Sequence, residues 1–443
     1  MSEGLFPLPL TPFEYYFLLE DRAEYAGVIP IELEARGRFD RPAFEQAYRL
    51  THERHPFLSA RVEKDKRGWP EFVAGEPEPI RYADDRPTCL DSQPGERPGV
   101  RVQVWQDDDQ LFHFHFLFHH VAVDGLGAFQ FICDLFEAYA HACTGSDEPP
   151  PWRPLDPQRL RDRDGHHLFK RRVRPVDLWR MAQVHVPLSL RQAALVSDET
   201  DTSATNGQPA APTSPTDFMV EHLSVEETDA LTATAAGRGV MLNDLLVRDY
   251  FLTLEEWNRG TSQASGPIRI LIPVNMRRRE DLRMPAANVF GYAFLTRYAA
   301  DCQNPEALLD SIRDEMAAVK RDKRALYYEA MLRLSCAWPA FLRWSLNREW
   351  SFATAVFTNL GTGFDRLRLP DHQGRKLAGD LLFEVGAGVG PIRPGTRISF
   401  SAHNYAGRLA IAACCDGRTL TPVQQRALLD AYLARLRNTI EQS

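Results

Sequence analysis

No apolar run in the sequence approaches the roughly 18–20 residues needed to cross a bilayer, so no membrane-spanning helix is expected. The chain opens MSEGLFPLPL, without a basic segment followed by an apolar one, so no secretory leader is read there. Cysteine is sparse: seven residues, an odd number, scattered and never spaced CxxC. That excludes a disulfide framework and makes the cytoplasm the expected compartment. Positive charge is not in excess either. With 52 Lys and Arg against 60 Asp and Glu, the net charge is −8, which leaves no footprint for bulk nucleic-acid binding. Short-period repeats are missing too. What is present is 443 residues, 44% hydrophobic and 25% charged, an ordinary globular balance with enough chain for roughly two or three domains.

Residues 197–217 (SDETDTSATNGQPAAPTSPTD) carry no large apolar side chain and read as a flexible linker or long surface loop. They divide the chain into two halves, 1–196 and 218–443, each mixing helices with strands. In the first half, Pro42 to Arg54 reads as a helix capped by Asp40. Val100 to Trp105 and Leu111 to Phe118 read as paired strands around an Asp107 turn, and Phe129 to Cys143 as a buried helix. In the second half, helices are expected at Ser224–Gly237, Leu242–Trp257 and Pro305–Lys320. Strands are expected at Ile268–Val274, Val289–Tyr298, Ile398–His403 and Leu409–Cys414, before a terminal helix capped by Thr421. The fold class is α/β, in two lobes.

The densest chemistry lies in LFHFHFLFHHVAVDGLGAFQF, residues 111–131. Phe112, Phe114, Phe116 and Phe118 share one strand face, which His120 continues, while His113, His115 and His119 take the other. Asp124, Gly125 and Gly127 are turn formers, so His120 falls where a strand gives way to a loop. A histidine placed there can accept a proton near neutral pH as a general base. Asp124 has two readings, either pairing with an arginine to hold the loop or hydrogen-bonding the imidazole as a triad acid does. The three histidines of the other face also admit a metal reading, without a Cys, Asp or Glu visibly placed to complete it.

His119-His120-Val121-Ala122-Val123-Asp124-Gly125 matches HHxxxDG, and on it the chain resembles the CoA-dependent acyltransferase superfamily. That group includes chloramphenicol acetyltransferase, condensation domains, polyketide-associated acyltransferases and wax-ester synthases. Supporting segments follow in order: Pro9-Leu10-Thr11-Pro12, the RHPFLSAR run from Arg54 to Arg61, Pro273-Val274-Asn275-Met276-Arg277, Asn288-Val289-Phe290-Gly291, Thr358-Asn359-Leu360-Gly361, and the hairpin from Asn404 to Asp416. The likeness runs from about residue 7 to about residue 440. It implies two chloramphenicol-acetyltransferase-like lobes with a tunnel between them, and no metal. An acyl-CoA or phosphopantetheine thioester would be co-substrate, with a small alcohol or amine as acceptor. His120 would be the base and Gly125 would offer its amide to the oxyanion. Asp124 would be salt-bridged to Arg277, or failing that to Arg61, and His119 would support the motif. The DFGWG segment of the plant branch is missing. No carrier domain is fused, so a carrier-bound donor would arrive in trans; one chain suffices for one tunnel.

Other features have plainer alternatives. The basic residues Arg153, Arg159, Arg161, Arg163, Lys170, Arg171, Arg172, Arg174 and Arg180 suit a carrier or CoA dock, a peripheral membrane contact, or a solvated helical face. Arg277, Arg278, Arg279 and Arg283 form a second cluster, read as loop surface or a CoA phosphate site. The Phe112–Phe118 row is core or acyl-tunnel wall, and Cys414-Cys415 a packed strand end. Two rival functions remain: a non-catalytic binding module on the same fold, and a metal-dependent hydrolase on His113, His115 and His119.

Overall fold

The computed structural model describes the chain apart from residues 1–3, 85–98, 108–109, 147, 164–178, 180, 183–187, 189, 199–216, 262–265, 349, 365–366 and 443. Two large sheets form the lobes. The first runs in the order Asp371–His372, Arg375–Ala378, Leu381–Gly388, Val28–Arg36, Leu111–His119, Val100–Gln106, Arg81–Tyr82. The second runs Phe290–Arg297, Ile268–Asn275, Ala355–Gly361, Ile398–Tyr405, Arg408–Cys415, Met219–His222. A small third sheet joins Leu8–Pro9, Pro70–Val73 and Arg61–Lys64.

Alternation explains the first sheet. Along Leu111–His119, Phe114, Phe116 and Phe118 point into the core and are fully buried. They meet Phe44, Phe136 and Phe131 on the covering helices Arg41–Arg54 and Gly125–Ala142, with ring centroids 5.2–6.4 Å apart. Each such phenylalanine contributes roughly 1.5–3 kcal/mol by leaving water. The aromatic row is therefore core. Asp40 caps the first of these helices as expected, accepting from the Ala43 amide at 3.0 Å.

In the second lobe, Ser224 and Thr421 each close a capping box on their helices, Val225–Gly237 and Pro422–Glu441. The hairpin between Ile398–Tyr405 and Arg408–Cys415 turns on Ala406 and Gly407, both with positive φ (53° and 74°), as a two-residue turn matched to strand twist requires. Cys414 and Cys415 are buried strand residues. Burial pushes the Cys414 thiol up to about 12, so it is a packing group.

The chain halves and the sheets do not coincide. Leu381–Gly388, from the second half, pairs antiparallel with Val28–Arg36 in the first, from Leu382 opposite Arg36 to Gly388 opposite Ile31. The physical reason is edge protection: without it the long, apolar Val28–Arg36 strand would present an open row of backbone donors and acceptors. Of the expected linker 197–217, residues 199–216 lie outside the described residues. At its start, Ser197 is buried with its amide on Asn258 Oδ1 at 2.9 Å, and Asp198 pairs with Arg397 at 3.5 Å. Among the described residues no helix is long and apolar enough to cross a membrane.

Candidate active site

The strand Leu111–His119 ends one residue before His120. The helix after it begins at Gly125, four residues earlier than the sequence suggests, because Asp124 caps it by accepting from the Gly127 amide at 2.9 Å. The loop 120–124 is held from outside as well. The His120 amide donates to Gly27 O at 2.7 Å, and Asn288 Nδ2 donates to the carbonyls of His120 and Val121 at 2.8 and 2.9 Å.

His120 Nδ1 lies 3.1 Å from the Val123 carbonyl. A carbonyl only accepts, so Nδ1 carries the hydrogen and Nε2 carries the lone pair. Among the described residues Nε2 has no protein hydrogen-bond partner. The ring stacks on Phe17 at 4.0 Å and 15°, and Phe290 follows at 5.5 Å and 26°. Burial pushes the imidazole down to about 4, against the opposing pull of the Asp124 charge, so it is neutral at physiological pH.

Asp124 does not touch the imidazole, so the triad reading is overturned. Its Oδ2 accepts from Arg277 Nη1 at 2.9 Å and from the Val289 amide at 2.8 Å. Its Oδ1 takes Arg277 Nη2 at 2.9 Å besides the Gly127 amide. Arg277 Nη2 also donates to Ala287 O at 2.8 Å. The carboxylate thus bolts the helix start of one lobe to the strand ends of the other. Arg61, the alternative partner, is not in reach: it is exposed and pairs with Glu63 at 3.1 Å. Arg61→Ala is therefore expected to change stability by less than about 0.5 kcal/mol, read by urea unfolding, and to leave turnover untouched.

Gly125 takes the first helical position, where an amide has no acceptor within its own helix. A Cβ there would come within 2.9 Å of Leu360 Cδ2, so a side chain at this position would require the Leu360 methyl to shift. His119 is a strut: Nδ1 accepts from the Val121 amide at 3.2 Å, and Nε2–H reaches Asp21 Oδ2 at 3.1 Å.

These groups border a cavity of about 100 Å³ between the lobes, with His120, Asp124, Gly125 and Leu126 on one wall and Pro273, Asn275, Arg277, Phe290 and Leu360 on another. The expected open tunnel is here a narrow space, because Leu126, Leu271, Val356 and Leu360 close on it. Sequence reading missed one residue stacked on His120 and one lining the cavity. Phe17, on the helix Pro12–Glu20, carries no motif that announces a ring stacked on His120. Arg393 also lines the cavity, held by Glu20 through Nε and Nη2 at 2.9 and 2.7 Å, and no local pattern marks that pair.

Several members of the other expected clusters are committed to local contacts. Arg163 is buried on Glu14, with two contacts of 2.7 Å, and Arg161 donates to the carbonyls of Gly4 and Leu5, so both fasten the N-terminal segment. Lys170, Arg171, Arg172, Arg174 and Arg180 lie outside the described residues. Arg278 turns to Glu280 and Asp281. His113, His115 and His119 do not converge on a metal position: His119 is committed to Asp21, and His113 gathers with Glu32 and Glu34.

Four further histidines, buried or half-buried, keep His120 company. Burial lowers His52 to about 3 and His403 to about 4, and lowers His55 and His222 as well. All five bind a proton more weakly folded than unfolded. Their stabilisation is complete above the unfolded pKa of about 6.5 and is lost as pH falls toward the folded values, at about 1.4 kcal/mol per pH unit for each. Urea midpoints measured from pH 7 to pH 5 should fall steeply; a flat series would show these rings titrating freely in the fold.

No protein-family model matches the chain, and no curated protein matches it by sequence. Solved structures do. Polyketide synthase associated protein 5 from Mycobacterium tuberculosis superposes with a TM-score of 0.68 at 18% identity, covering 98% of both chains. The first condensation domain of the calcium-dependent antibiotic synthetase, in complex with a substrate analogue, gives 0.70 at 16%, covering 98% of this chain and 97% of that one. A mutant starter condensation domain of rhizomide synthetase, in complex with C8-CoA and Leu-SNAC, gives 0.67 at 12%, covering 98% and 94%. The chain therefore has the two-lobed fold of the condensation domains and polyketide-associated proteins, along its whole length.

Proposed function

We propose that the protein transfers an acyl group from a CoA or carrier-protein thioester to a hydroxyl or amine acceptor, with His120 as general base. One observation carries this reading: a neutral imidazole whose Nδ1–H is locked on the Val123 carbonyl and whose Nε2 lone pair is unclaimed, at a cavity between the lobes. The acceptor's proton passes to Nε2 as its oxygen or nitrogen attacks the thioester carbonyl carbon. The oxyanion forms beside the Gly125 amide, at a helix start where the dipole favours negative charge. The C–S bond then breaks, and the imidazolium returns its proton to the departing thiolate. Val123 O and the Asp124 charge stabilise the imidazolium between those events. No metal and no covalent acyl-enzyme enter the scheme, and one chain builds the whole site.

The test is a panel of acyl thioesters incubated with alcohols and amines, read by mass spectrometry and free-thiol release. New ester or amide in the wild type, lost in His120→Ala, is the expected result. Equal thiol release by the variant with a working acceptor rejects the mechanism. The narrowness of the cavity favours one other reading, a binding module without turnover. Saturable thioester binding with no product across the panel would select it.

A further inference from the structure

The opposite face of the His120 strand holds a second cluster. His113 lies directly across from Glu34 in one strand pair and from Trp105 in the other. Glu32, two residues from Glu34, shares its face. Trp105 stacks flat on the His113 ring, centroids 4.9 Å apart at 1°, and so fixes where the ring nitrogens aim. Nδ1 is 3.7 Å from Glu32 Oε1 and 3.7 Å from Glu34 Oε1, while Nε2 is 2.8 Å from Asp107 Oδ2. His113 is only 6% exposed, and neither Nδ1 nor Nε2 makes a hydrogen bond of proper geometry, an expensive condition for buried polar atoms.

We propose that Glu32, Glu34 and His113 form a site for one divalent transition-metal ion. One imidazole nitrogen and two carboxylate oxygens are a donor set suited to Zn²⁺ with water completing the coordination. Donors each about 2.1 Å from a tetrahedral ion stand about 3.4 Å apart; here the three donor atoms lie within 4.8 Å of one another, so the side chains draw inward to close on an ion. The Asp107 carboxylate 2.8 Å from Nε2 favours the ring proton on that nitrogen, which leaves Nδ1 the unprotonated ligand. Glu34 and Asp107 reach solvent, which gives an ion a path in. The site faces away from His120, so its role is to tie the strands Val28–Arg36 and Leu111–His119 together.

The competitor is a proton. Burial disfavours a charged His113, yet Glu32, Asp107 and Glu34 together raise its pKa, so an imidazolium could occupy the cage instead. Zn²⁺ titrated into the chelator-stripped full chain by calorimetry, alongside Glu34→Gln and His113→Gln, separates them. The expected result is one Zn²⁺ per chain, at least tenfold weaker in either variant, with Zn²⁺ raising the thermal midpoint of the wild type alone. Circular dichroism of both variants verifies that they fold, and Glu32→Gln replaces either one that does not. Absence of binding at about 100 µM Zn²⁺, or equal affinity in folded variants, overturns the proposal and leaves the cluster a proton cage.

Discussion

If His120 is the base of the proposed acyl transfer, replacing it with alanine should lower kcat/KM about 10²–10⁴-fold, the range over which a positioned base acts, while thioester affinity should stay within about twofold. The split follows from the geometry. The ring offers substrate one lone pair and rests its faces on Phe17 and Phe290, so its loss removes a proton acceptor and little of the cavity wall. Wild-type activity has its own signature in pH. An exposed histidine would shut off below about pH 6.5. Burial holds His120 near 4, so kcat/KM should stay level through pH 6 and 5, with the acid limb beneath. The assays are brief and confined to the range where circular dichroism remains native, since folding weakens over the same interval. A wild-type midpoint at 6.5 would mean that water reaches the ring freely and that burial does not govern it.

Asp124→Ala should cost about 3–5 kcal/mol of stability, the penalty for stripping one partner from a buried ion pair. The number of donors left behind explains the size. Arg277, only 14% exposed at its side chain, would keep Ala287 O alone, and the amides of Gly127 and Val289 would lose their acceptor. Helix capping accounts for about 1 kcal/mol of this. Asp124→Asn keeps an oxygen for the cap and loses the ion pair, so it should fall between. Urea unfolding of the two variants and of Arg277→Met orders them; a cost below about 1 kcal/mol for Asp124→Ala would show that the clamp does not hold the lobes in register.

Much of this site could be read from the sequence, for local reasons. Strand parity put His120 on the core side and glycines marked the turn. The short apolar run Ile268–Val274 put Arg277 just past a strand, although only the resemblance singled it out as Asp124's partner. Spacing left two roles open for Asp124, and the backbone decided between them: the tight 120–124 loop brings the Val123 carbonyl to Nδ1, and the carboxylate turns instead to Arg277. Contacts between distant segments left no such trace. Glu20 and Arg393 look like ordinary charges until the fold brings them together. Leu381–Gly388 was not read as a strand, because Glu384, Gly386 and Gly388 interrupt its apolar pattern and its partner lies near the other end of the chain. The metal reading failed for a related reason. Three histidines on one strand face drew attention to themselves, whereas the carboxylates that gather at His113 come from the neighbouring strand.

The pairing of Ile31 with Gly388 also sets a timetable for biosynthesis. A ribosome emits Val28–Arg36 early and Leu381–Gly388 near the close, so for most of translation the nascent first sheet has a bare flank. During that interval the chain is open to mispairing with its neighbours on a polysome, and a chaperone that shields extended segments would raise the yield. Expressing the two halves as separate polypeptides would make the vulnerability permanent.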